Sequence, residues 1–194
     1  MEGLGARNQG SVDNGTAPDA PGLTGRKLFD CQEMFRHACT FCECADMAQN
    51  KHHHDTADIG WYVSPAVINS AFACEVFIKA LLIAKDIKAP KTHKLKKLFG
   101  KLPEENQERI RQFVCRNDYQ AWNNCFGFDN IDEISDAFVD WRYSYEIIGK
   151  KRAMLEINSG FLENFRNALR DLCCRSFFGL TWEEYKKLRI GEGM

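Results

Sequence analysis

The stretch VINSAFACEVFIKALLIAK, residues 67–85, decides the fold. Wound as a helix, it is apolar around most of its circumference, so it belongs at the centre of a bundle. Ser64 and Pro65 stand just ahead of it. Serine suits an N-cap and proline suits the first helical position, so the helix is expected to run from there to about Asp86. Glu75, Lys79 and Asp86 gather on one strip of its surface and break the apolar rule.

The flanking segments carry the same 3.6-residue period. From about Lys27 to Gln49, Leu28, Cys31, Met34, Phe35, Ala38, Phe41, Cys42 and Ala45 fall on one stripe. A polar loop with His52, His53 and His54 is expected next. Lys88 to Lys101 holds a short helix, HKLKKLFGKL, and Pro103 opens another that runs to about Arg116. A looser aromatic stretch, DYQAWNNCFGFDN, follows. Ile131, Ile134, Phe138, Trp141, Tyr145 and Ile148 then keep helical spacing, with Asp132, Asp136 and Asp140 facing outward. A last long helix starts near Ser159 and carries Phe161, Phe165, Leu169, Leu172 and Phe177. Thr181 and Glu184 form a capping box ahead of a short tail helix. No strand-type alternation is sustained. The expectation is an all-α, antiparallel four-to-five-helix up-and-down bundle over residues 25–194, with short accessory helices. Residues 1–24, nearly empty of large apolar groups, read as a disordered tail that buries nothing.

Composition narrows the function classes. With 194 residues, 44% hydrophobic, the chain can bury a real core. A net charge of −1 means that any nucleic-acid affinity must come from a local patch. No apolar run of about 18 residues stands out and the first ten residues do not read as an export signal, so a cytoplasmic chain without a membrane span is expected. Its nine cysteines are then expected to be reduced thiols.

Three groupings invite a chemical reading. His37, Cys39, Cys42 and Cys44 resemble a metal set, but four zinc ligands must converge. On one helix Cys42 points into the core, Cys39 lies near its edge, and His37 and Cys44 point away. No metal or other cofactor is therefore expected. Lys88, Lys91, Lys94, Lys96, Lys97 and Lys101 form a run without a single acid among them, a positive field suited to phosphate. Within it Lys94, Lys96 and Lys97 are the candidate nucleic-acid contacts. Glu75 with Lys79, and Arg142 with Glu146, are i,i+4 pairs. Arg142 lies about 40° from Phe138 on the helical wheel, at the edge of the core stripe. A guanidinium there needs a carboxylate, which Glu75 or Glu146 can supply. Glu75, Lys79, Arg142, Tyr143 and Glu146 thus form either a structural network or a cleft for a phosphate-bearing ligand. No P-loop, dinucleotide fingerprint or nucleophile elbow is present.

The block from Ser70 through Glu75 and Lys79 to Leu82, then Thr92-His93-Lys94-Leu95, then Phe138 through Arg142 and Tyr143 to Glu146, resembles HEPN-domain proteins. Within them it looks most like the abortive-infection proteins of the AbiV type, and the likeness spans about residues 27–176. The resemblance implies a bundle of four or five helices, often a homodimer. Members are commonly RNA-cleaving toxins, defence effectors or partners of a nucleotidyltransferase. Catalytic members carry an Arg and a His with four to six residues between them. Here the positions counted from Arg142 hold Ile147, Ile148 and Gly149. The expectation is a non-catalytic HEPN-like module that binds RNA, a nucleotide or a protein partner, possibly in anti-phage defence or a toxin–antitoxin setting. Two alternatives stand beside it: a metal-independent endoribonuclease using Arg142, Tyr143 and His93, and a structural interaction bundle.

Overall fold

The computed structural model describes residues 23–54, 62–117, 130–143 and 157–191. The elements are α1 (Gly25–His54), α2 (Val63–Ala84), α3 (Leu95–Phe99), α4 (Glu104–Asn117), α5 (Asn130–Ile134), α6 (Ala137–Arg142), α7 (Ser159–Phe178) and α8 (Trp182–Gly191). No strand occurs among the described residues, so the all-α expectation holds.

The packing directions follow from cross-helix pairs. Phe35 meets Phe77 and Phe41 meets Phe72, so α1 and α2 run antiparallel. Gln32 reaches the Phe177 carbonyl at 3.0 Å and Asp46 meets Arg166, so α7 also runs against α1. Arg166 meets Ser70 and Cys173 meets the Phe77 carbonyl, so α7 runs with α2. The helix of residues 67–85 sits at the centre, as its apolar circumference requires. Phe35, Phe77, Phe165, Phe177, Ile78, Leu81 and Leu82 are almost wholly buried. Burying each such side chain contributes about 1.5–3 kcal/mol. By length and composition α2 is also apolar enough to cross a membrane, but two-thirds of its most apolar window, 67%, is buried against the other helices.

Several boundaries differ from expectation for visible reasons. Ser64 does not cap α2: the helix starts at Val63, and the Ala66 N–H donates to the Tyr62 carbonyl at 3.1 Å. α2 ends where Asp86 takes φ 57°, with Asp86 and Ile87 N–H donating back to Ile83 and Leu82 at 3.1 and 2.9 Å. This is a Schellman ending, in which Asp replaces the usual Gly. Its carboxylate meets Lys27 Nζ at 2.7 Å. α1 continues through His54, so His52–His54 close a helix rather than form a loop. Leu23, placed in the tail by composition, is buried in the core; residues 1–22 lie outside the described residues. The aromatic stretch after α4 lies outside them as well, apart from Asn130.

The largest departure is the helix expected over 131–148. It is split into α5 and α6 by a turn at Ser135 and Asp136. The turn has a use: the Ser135 carbonyl accepts from Leu95 N–H at 3.0 Å and its hydroxyl from Lys96 N–H at 3.4 Å. These are first-turn N–H groups of α3 that have no intrahelical partner. The capping box of α8 forms as read, with Thr181 N–H donating to Glu184 at 2.7 Å and Glu184 N–H to the Thr181 hydroxyl at 3.2 Å.

Candidate functional site

Glu75 sits mid-way along α2 and is only 2% exposed. A carboxylate taken out of water is costly unless it is paired and hydrogen-bonded. Lys79, one turn on, donates to one oxygen at 2.6 Å, and His93 Nδ1 lies 2.9 Å from the other. A carboxylate only accepts, so Nδ1 is the donor in this contact. The His93 side chain is 51% exposed, so a half-open imidazole is held by a buried anchor.

The turn at Ser135 fixes the segment that carries His93. Held against α5 and α6, this segment lays the imidazole over Phe138, with ring centroids 5.1 Å apart. The Arg142 guanidinium packs on the same phenyl ring, 5.6 Å from its centroid, and over the Tyr143 ring at 4.8 Å. It also donates to the Tyr143 hydroxyl. Arg142 and Tyr143 are both exposed. One aromatic ring therefore carries an exposed imidazole and an exposed guanidinium from segments nearly fifty residues apart.

The sequence-derived network divides in two. Glu75 and Lys79 meet, and His93 joins them. Arg142 and Tyr143 meet each other at the rim but do not reach Glu75. Among the described residues no carboxylate pairs with Arg142, which stands outside the core and needs none there. Glu146 lies outside the described residues. The lysine run also needs correction. It has no acid of its own, but Lys94 pairs with Asp136 at 2.9 Å and Lys96 with Asp132 at 2.7 Å. The acids on α5 and α6 thus offset part of its field. Lys97 is exposed and has no such pair among the described residues.

The buried guanidinium is a different one. Arg166 on α7 is 1% exposed, donates to the Ser70 hydroxyl at 3.0 Å and pairs with Asp46 at 2.5 Å. It ties α7 to α2 and α1 at once. Among the described residues its Nε finds no acceptor. The sequence carried a signal that went unread. On the helical wheel Arg166 falls between Cys173 and Phe177, inside the apolar stripe rather than beside it.

The thiols behave as small core residues. Cys39 and Cys42 are buried, while His37 and Cys44 on the same helix are exposed. Burial pushes the Cys42 thiol up to about 11, against the pull of Arg166. Burial likewise raises Cys174 to about 12.

The family model described as HEPN domain covers residues 51–171, more than half of the chain. Neither the curated proteins nor the solved structures include a match.

Proposed function

We propose, for a chain that belongs to the HEPN domain family, that the face built by Glu75, His93, Phe138 and Arg142 binds RNA through its phosphates without cutting it. One arrangement supports this above all: Arg142 and His93 share the Phe138 ring, at 5.6 and 5.1 Å, and both face solvent. A guanidinium presents paired N–H donors in the geometry of a phosphate. Stacking on Phe138 and Tyr143 pre-orders it, so less side-chain entropy is lost on binding. The absence of His from positions 147–149 argues against the cleavage chemistry that the family resemblance implies.

A second reading draws on the same contact. An imidazole oriented by a buried carboxylate is the arrangement of a general base. Beside Arg142, His93 has a partner able to hold phosphate charge, so a metal-independent endoribonuclease is the alternative. Fluorescence anisotropy with a fluorescein-labelled single-stranded oligoribonucleotide, with the same sample run on a denaturing gel, separates the two. Binding that falls in Arg142→Ala while the RNA stays whole supports the first reading. Cleavage by the parent that disappears in His93→Gln promotes the second. No binding by the parent overturns both.

The AbiV-type likeness extends the proposal to a cytoplasmic homodimer serving anti-phage defence, alone or with a nucleotidyltransferase partner. Sedimentation equilibrium tests the dimer. Plaque counts with and without the gene test the defence role.

A further inference from the structure

We propose that the cleft between α1 and α7 binds a free apolar α-amino acid, recognising its side chain, its ammonium and its carboxylate in turn. Neither His93 nor Arg142 lines this cleft, and the inference stands apart from the RNA-binding reading.

Three features follow one another along the cleft. The first is an apolar cavity of about 150 Å³ walled by Val63, Ala66, Val67 and Leu162. A single water needs about 10–15 Å³ on the same scale, so a branched aliphatic side chain has room. Gln49 and Glu163 close the edge of this cavity and also line an adjoining polar one of about 370 Å³. Beyond them the polar cavity is walled by Asp46, Asn50, Arg166, Asn167 and Arg170. Along α7 the order is therefore apolar at Leu162, acidic at Glu163 and basic at Arg166 and Arg170.

Two of these charges are unmatched among the described residues. Arg166 is committed to Asp46 and Ser70. Glu163 pairs with no cation there, and its one hydrogen bond comes from Gln49 Nε2 at 3.4 Å, long enough to be weak. Arg170 pairs with no carboxylate. Its Nη2 donates to Asn167 Oδ1 at 2.7 Å, and its guanidinium lies 4.2 Å from the Trp182 ring centroid. Glu163 and Arg170 stand two turns apart on α7, about 10 Å along the axis, beyond the spacing at which helical side chains pair. A second, independent sign points the same way. Arg166, 1% exposed, and Arg170 each keep a buried Nε–H without an acceptor among the described residues. Buried donors are nearly always satisfied where folding alone is at stake, so this cleft holds charge and donors that folding does not use. A zwitterion uses them. Its ammonium meets Glu163, its carboxylate meets Arg170 and Asn167, and its side chain fills the cavity beside Glu163. An anion alone would face Glu163, and a cation alone would face two arginines.

Calorimetric titration of the full chain with L-leucine tests this. Leucinamide lacks the carboxylate, N-acetyl-leucine lacks the ammonium, and glycine lacks the side chain. Leucine is expected to bind at least about tenfold more tightly than each, since each has lost one charged or apolar contact. Glu163→Gln is expected to erase the preference for leucine over N-acetyl-leucine, and Arg170→Gln the preference over leucinamide. Each is expected to leave the other preference in place, which a general loosening of the bundle would not do. Ala66→Leu fills the apolar cavity and is expected to erase the preference over glycine. Arg142→Ala is expected to bind leucine like the parent, which keeps the fate of this site apart from that of the RNA face. A parent that binds no leucine, or binds it no better than leucinamide or glycine, overturns the proposal. N-acetyl-leucine bound as tightly as leucine would make the cleft a socket for a chain end and overturns it too. So do Glu163→Gln and Arg170→Gln proteins that keep the parent's preferences.

Discussion

Arg142 and Arg166 are the same side chain placed under opposite rules. Arg166 lies inside the bundle, with Asp46 and Ser70 holding two of its nitrogens and 1% of its surface in water. Arg142 stands outside, over two aromatic rings. Burial makes a charge expensive to leave unpaired, so the first arginine is committed to its partners. Exposure lets water solvate the second, whose one hydrogen-bond partner among the described residues is the Tyr143 hydroxyl. The difference teaches that an arginine near an apolar stripe is structural or functional according to where its neighbours put it, and the stripe alone does not decide.

The sharpest way to break this contrast is to remove each arginine. Arg166→Ala is expected to cost about 3–4 kcal/mol, because it opens a cavity and leaves Asp46 and Ser70 without their donor. Asp46 keeps partial access to water, which holds the cost near the lower end of the range for a broken buried pair. Urea titration measures it, and a loss below about 1 kcal/mol would end the distinction. Arg166→Met sharpens the point. It keeps much of the volume and removes the orphaned Nε, so it is expected to lose less than half as much as the alanine variant.

Arg142→Ala is expected to change stability by under about 1 kcal/mol, the scale of an exposed cation–π contact. Its RNA affinity is expected to fall, and the salt dependence of binding to flatten by about one unit of slope. A destabilised Arg142→Ala protein with unchanged RNA affinity would reverse the two roles.

Smaller again is the effect of the lysine pairs. Asp132→Asn with Asp136→Asn frees Lys96 and Lys94 from their partners and is expected to cost no more than about 1 kcal/mol per exposed pair. If the lysine segment helps to hold RNA, the same double variant binds more tightly at low salt. Unchanged affinity would leave Arg142 as the main phosphate contact.

The smallest effect lies at the capping box of α8. The Thr181 N–H and hydroxyl hold the Glu184 carboxyl below its ordinary value. A depressed carboxyl stabilises the fold at and above its unfolded pKa, and that contribution fades as pH falls through the folded value. Thr181→Ala is therefore expected to flatten the acid limb of Tm against pH slightly, with the difference largest near neutral pH.

The bundle was legible because residues 67–85 admit one environment, the interior, and the flanking stripes repeat the helical period. Boundaries were less legible where backbone groups made the choice. Nothing in Ile131–Ile148 announces that Ser135 will give its carbonyl and hydroxyl to α3, a partner some forty residues earlier. The site shows the same divide. Glu75 and Lys79 share a helix, so their spacing pairs them. His93 was a candidate from the resemblance, but its place against Glu75 and Phe138 is a tertiary fact. The contacts of Phe72 with Phe41 and Phe138 were illegible for the same reason, since the three come from separate helices. Arg166 was legible and missed: a charged residue inside an apolar stripe asks for a buried partner.

The turn at Ser135 also orders events in time. While the chain is being made, α1 and α2 can pair before α5 and α6 exist, because both are complete by Ala84. The stretch carrying His93 already exists by then, but its anchor on Ser135 and its ring, Phe138, have not been synthesised. At roughly 5–20 residues per second, some seconds pass between the emergence of Glu75 and of Arg142. Through that interval the growing chain has a nascent core and no contact of His93 and Arg142 on Phe138. The split helix works as a late latch: it withholds the exposed arginine and the stacked histidine from each other until most of the molecule that must support them has been made.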